Sequence, residues 1–136
     1  FRVPASDAER EVDLKPNEIL TEIVLPVSRD TMSSTYEIRQ KEAFDWPLVT
    51  ASVMLKMGGG KISEARVALG HVAPKPWRAT EAEKALVGQT ITEASATKAS
   101  EAAVAGAKPL SQNTYKLQLA KVAVKRALLT AAGVQI

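Results

Sequence analysis

The 136-residue chain contains no cysteine and a single histidine, His71. Without a thiol, this polypeptide can form no disulfide framework, hold no iron–sulfur cluster through cysteine and offer no thiol nucleophile. One histidine with no other ligand types at suitable spacing does not make a metal site. His71, next to Gly70, is therefore expected to be a half-buried structural or capping residue. Serine-nucleophile chemistry lacks its parts too, because there is no glycine-flanked serine elbow and no second histidine. Aromatics are scarce, with two each of Phe, Tyr and Trp, so the core must be built from aliphatics and closely approaching alanines. No apolar run nears the roughly 18 residues needed to cross a bilayer. The opening, Phe1-Arg2-Val3-Pro4, has neither an initiator methionine nor the basic-then-apolar layout of a secretory leader. A cytoplasmic setting is expected, with the periplasm left open.

What is present is a hairpin. Val49, Ala51, Val53, Leu55 and Met57 fall on every second position, with Thr50, Ser52 and Lys56 between them, and that period of two marks a strand with one buried face. After Gly58-Gly59-Gly60, an apolar run resumes at Ile62, Ala65, Val67 and Leu69. Glycines tolerate the positive φ angles of a tight turn, so an antiparallel pair is expected here. Pro74 and Pro76 cannot donate to a ladder and should end the sheet. Upstream, Tyr36 and Ile38 alternate with Glu37, Arg39 and Lys41, which predicts a first strand over Thr35–Lys41. A separate strand is expected over Leu20–Leu25, closed by Pro26, with Leu20, Val24 and Ile23 as buried candidates. Residues 28–34 read as a polar connection and a boundary.

Everything after Thr80 reads as helix. Arg78 or Thr80 is the expected cap of a short first helix, Thr80 and Glu83 standing in capping-box spacing with Gly88 as terminator. An alanine-rich helix follows over Thr92–Ala105. The last helix is capped by Asn113 or Ser111, carries Leu117, Ala120, Val124, Ala127, Leu128 and Ala131 on one face, and ends at Gly133. The expected class is α+β: a three-stranded antiparallel sheet followed by three helices packed on one face, a β3-α3 sandwich.

Charge is unevenly distributed. Residues 1–45 hold ten acidic and six basic side chains, whereas residues 46–136 hold five and twelve. Asp7, Glu9, Glu11 and Asp13 alternate in a polar loop and read as solvated. The basic positions Lys116, Lys121, Lys125 and Arg126 could meet phosphates, but beyond Tyr115 they lack interleaved aromatics, and a solvated helix face is the default. The glycine triplet joins strand to strand, so it is not a phosphate cradle at a helix N-terminus. From the residues alone, a free-standing interaction domain and a nucleic-acid-binding module both stay open.

Five stretches, taken together and in order, carry a resemblance. They are Leu14-Lys-Pro-Asn-Glu-Ile-Leu-Thr-Glu-Ile-Val-Leu-Pro26, Ala43-Phe-Asp-Trp-Pro-Leu-Val49, Ala65-Arg-Val-Ala-Leu-Gly-His-Val-Ala-Pro-Lys-Pro-Trp-Arg-Ala79, Glu81-Ala-Glu-Lys-Ala-Leu-Val-Gly88 and Ala107-Lys-Pro-Leu-Ser-Gln-Asn-Thr-Tyr-Lys116. The chain resembles the carboxy-terminal part of the FAD-binding medium subunit of molybdenum hydroxylases, the xanthine dehydrogenase and carbon monoxide dehydrogenase family.

The resemblance implies that residues 1–27 are the tail of a preceding FAD-binding domain and that 28–136 form the carbon monoxide dehydrogenase flavoprotein C-terminal-like domain. It implies an oxidoreductase piece, inactive alone, whose FAD is bound mainly by loops outside this chain. Its implied partners are an iron–sulfur small subunit and a molybdenum-cofactor large subunit, with neither nucleic acid nor a membrane span. By the same resemblance, Leu20 matches a flavin-contacting leucine, the alternative being ordinary core packing, and Asp45 an acidic position near the isoalloxazine edge, the alternative being an aspartate that orders the turn through backbone N–H groups. Glu37 stands where many members have a lysine near the flavin, which leaves Arg39 or Lys41 as substitutes. A cation there would stabilise a reduced anionic ring and a carboxylate would not.

Overall fold

The computed structural model describes residues 1–25, 29–42 and 44–134. The hairpin forms as its alternation requires, from β2 (Val49–Gly58) and β3 (Lys61–Gly70). Gly59 and Gly60 both take positive φ, 59° and 78°, the geometry of a two-residue turn whose twist matches the strands it joins. The register shifts once, between Lys56 and Met57, because Ser63 has no partner opposite it. This bulge explains why Ile62 and Ala65, three apart, are both buried: the extra residue resets the in–out alternation. The Ser63 hydroxyl donates to Lys56 O at 3.0 Å and secures it.

The first strand, β1 (Thr31–Ile38), pairs antiparallel with β2 from Thr31↔Lys56 to Ile38↔Val49. It therefore starts and ends earlier than the sequence pattern predicts. An edge strand with one solvated face accepts the polar Ser33, Ser34 and Thr35, and the Thr35 and Ser52 hydroxyls are hydrogen-bonded at 2.9 Å. The sheet also holds a fourth strand that the sequence does not announce. Pro74 and Pro76 interrupt the ladder as expected, but β4 (Trp77–Arg78) rejoins it, pairing with Leu69 and Ala68. Both residues keep their N–H groups, and the outer edge of β3 is free to receive them. The order is β1-β2-β3-β4.

Three helices follow: α1 (Thr80–Leu86), α2 (Glu93–Val104) and α3 (Tyr115–Ala131). α1 and α3 lie on the sheet, and α2 packs against both of them. The core between the layers is aliphatic and alanine-rich, with Val49, Leu55, Val67, Leu86, Ala99, Ala123, Ala127 and Leu128 fully buried. Small side chains let the helix backbones approach closely. Gly88 and Gly133 close α1 and α3 at positive φ, as expected.

The caps differ from expectation. The N-cap of α1 is Ala79, and no side chain caps it, because Glu83 is engaged with the sheet instead. The capping box belongs to α2, where Thr92 and Ser95 satisfy each other's backbone. α3 starts after Thr114 with no side-chain cap; Asn113 Oδ1 instead accepts from Leu110 N–H at 2.6 Å, closing the preceding turn.

Residues 1–25 contain neither helix nor strand. The strand expected over Leu20–Leu25 does not form, and Leu20, Ile23 and Val24 are 63%, 75% and 78% exposed rather than buried. Among the described residues, no other segment supplies a ladder or an apolar surface to that stretch. Pro26, the expected stop, and the boundary at 27/28 lie outside the described residues. No helix among the described residues is long and apolar enough to cross a membrane.

Candidate functional site

The β1–β2 connection brings most of the candidate residues together. Leu48 N–H donates to Ile38 O at 2.7 Å and closes the base of the loop. Glu37, exposed on the open face of β1, forms an ion pair with Arg39 just beyond the strand's end. Further along, Asp45 Oδ2 accepts the main-chain N–H of Lys41, four residues before it, at 3.0 Å. The aspartate thus orders the turn, a common use of its short carboxylate. Phe44 and Trp46, on either side of it, are exposed. Leu20 is set apart in the unpaired N-terminal stretch, and no backbone hydrogen bond joins it to the other four.

The electrostatics single out one cation. Arg39 is matched by Glu37, whereas Lys41 has no carboxylate partner among the described residues and keeps its ammonium in solvent. None of the five lines the cavity along residues 4–11 or the cleft at β4 and the helix ends. Among the described residues, no group of three or more His, Asp or Glu is arranged to hold a metal ion.

Three of the four basic positions on α3 turn inward on the chain itself. Arg126 bonds the Tyr36 hydroxyl and lies 5.3 Å from that ring's centroid. Lys125 pairs with Glu93 at 2.8 Å, and Lys116 donates to the His71 carbonyl at 2.9 Å. His71 is exposed rather than half-buried, with φ at 63°. Its backbone, not its ring, makes the structural contact.

The sequence does not announce the one buried carboxylate among the described residues. Glu83, 8% exposed, projects from α1 to the edge of β3. There Oε1 accepts from Val67 N–H at 3.0 Å while Arg78 donates to both oxygens. Burial works to raise its pKa, but the Arg78 and Val67 hydrogen bonds outweigh it and hold the carboxyl below its ordinary 4.5. The carboxylate stands where another strand's carbonyl would be. The five-residue spacing from Arg78 to Glu83, across the entry to α1, was the available signal.

Comparison with known proteins gives a consistent result. Residues 34–131 match the model of the CO dehydrogenase flavoprotein C-terminal domain. The chain is 34% identical over 119 residues to the carbon monoxide dehydrogenase medium chain of Afipia carboxidovorans, covering 85% of this chain and 41% of that one. It is 28% identical to the aldehyde oxidoreductase FAD-binding subunit PaoB of Escherichia coli, covering 89% and 35%. Among solved structures, quinoline 2-oxidoreductase from Pseudomonas putida 86 superposes with a TM-score of 0.71 at 34% identity, over 77% of this chain and 38% of its own. The chain thus spans well under half the length of the relatives it matches.

Proposed function

Because the chain belongs to the CO dehydrogenase flavoprotein C-terminal domain family, we propose that it is the C-terminal domain of an FAD-containing subunit of a molybdenum hydroxylase. In this role it covers a flavin held mainly by another domain and docks the partner subunits. The carrying observation is that the matched stretch, 34–131, coincides with the sheet and its three helices. Residues 1–27 act as the tail of the flavin-holding domain; the exposed apolar side chains within residues 1–25 support this, since no surface among the described residues covers them.

The bound FAD would accept electrons originating at a molybdenum centre in a large subunit and relayed by iron–sulfur clusters in a small one. This chain's residues contribute at the edge. Lys41 presents the uncompensated positive charge, Asp45 fixes the turn that carries it, and the Glu37–Arg39 pair limits the local field. Leu20 supplies apolar contact from the tail. The pairing of Lys125 with Glu93 and the stacking of Arg126 on Tyr36 reduce the free cationic surface that α3 offers a nucleic acid. Equilibrium dialysis of the isolated chain against FAD should detect little or no bound flavin. Tight, stoichiometric binding would overturn this placing of the cofactor's affinity.

A further inference from the structure

One side of the domain is left open in a way that the flavin-covering role does not use. Between β4, the loop after β3, the C-terminal end of α2 and the first turn of α3 lies a cleft of about 400 Å³, within the roughly 300–1,000 Å³ range of binding pockets. Its walls are apolar: Val72, Trp77, Val104, Pro109 and Leu117. Trp77 remains 51% exposed there, although aromatics are scarce and the adjoining core is closely filled.

We propose that this cleft is a docking slot for a segment of a partner polypeptide that carries a bulky apolar side chain flanked by carboxylates. The acidic flank follows from the rim. Glu81 is tied to Lys84 and Glu83 to Arg78, while Lys108 has no carboxylate partner among the described residues and Lys116, whose ammonium donates to the His71 carbonyl, has no carboxylate to neutralise its charge. Two cations thus stand uncompensated beside an apolar trough, and an acid-flanked apolar segment complements both features. The cleft is an open groove rather than a closed cavity, which suits a chain passing across it.

The place where the chain enters the sheet favours an occupant from another polypeptide. This chain enters the sheet at Thr31, opposite Lys56, on the β1 edge, whereas the cleft lies at the other edge, where β3 ends at Gly70. A segment preceding Thr31 would have to cross the sheet diagonally to reach it.

This inference rests on the reading of the chain as one domain of a multi-subunit oxidoreductase, and the experiment separates the two. Hydrogen exchange over residues 72–79 and 102–117 is compared in the complete subunit alone and in complex with its companion subunits. Amides at the cleft should slow at least tenfold on assembly. Ala107→Trp, which fills the trough, and the double change Lys108→Glu/Lys116→Glu should each weaken assembly at least tenfold while circular dichroism and flavin content stay unchanged. A complex that forms with the cleft unprotected, or indifferent to both variants, would overturn the slot and leave the functional reading intact. A small molecule found filling the cleft of the purified subunit by native mass spectrometry would also overturn it. Failure to assemble with any companion would remove both.

Discussion

Glu83 closes the edge of the sheet with a side chain, and removing it has a calculable consequence. Val67 is fully buried, and its N–H has Glu83 Oε1 as acceptor. Glu83→Ala leaves that donor orphaned, a loss expected to be about 1–3 kcal/mol. Glu83→Gln keeps an acceptor of the same shape, so its loss at neutral pH should be smaller and should arise from the missing charge opposite Arg78. Because folding lowers the Glu83 pKa below 4.5, the charged form's contribution is complete above 4.5 and is lost as pH falls through the folded-state value. The gap between the native chain and Glu83→Gln should therefore close on acidification, while Glu83→Ala stays less stable. Urea unfolding of the three proteins at pH 7 and in the acid range, followed by circular dichroism, measures both effects. A Glu83→Ala loss below about 0.5 kcal/mol, the range of ordinary surface changes, would refute the role of the carboxylate as a strand substitute.

Two further changes probe the sheet and the candidate site. A Cβ at Gly70 would sit 2.3 Å from Thr50 Oγ1, so Gly70→Ala should cost about 1 kcal/mol or more; adding Thr50→Ala should restore most of it in thermal unfolding, and additive losses would argue against that contact. In the complete flavin-loaded subunit, Lys41→Gln should move the flavin midpoint potential to more negative values in a spectroelectrochemical titration, because a reduced anionic ring loses a nearby cation. An unchanged potential would place Lys41 away from the ring.

Much of the fold was legible because its determinants are local. The alternation from Val49 to Leu69 and the terminating glycines each act within a few residues, and the corresponding elements are where the pattern puts them. What escaped depends on distant neighbours. β4 exists because the edge of β3 is vacant, a fact of topology that the two prolines obscure. The box expected from Thr80 and Glu83 fails because Val67, sixteen residues away from Glu83, offers the carboxylate a better-buried partner. Leu20–Leu25 has strand composition but no ladder to join, and composition cannot create one. At the candidate site, the pairing of Glu37 with Arg39 was hidden because Arg39 and Lys41 follow it two and four residues on, and only the end of β1 at Ile38 decides which of them it meets.

The bulge at Ser63 gives the hairpin a phase change, and that has a consequence for how its length can vary. Beyond the bulge, the tip from Met57 to Ile62 keeps its own inward side, set independently of the long arms below. Deleting Ser63 would leave Ile62 and Ala65 two positions apart, so plain alternation would keep both inward, whereas deleting any one residue from Arg66 to Ala68 would turn part of the Ala65–Val67–Leu69 row toward water. Gains or losses of one residue should therefore be tolerated only where the ladder is already out of step, and pairs of residues elsewhere.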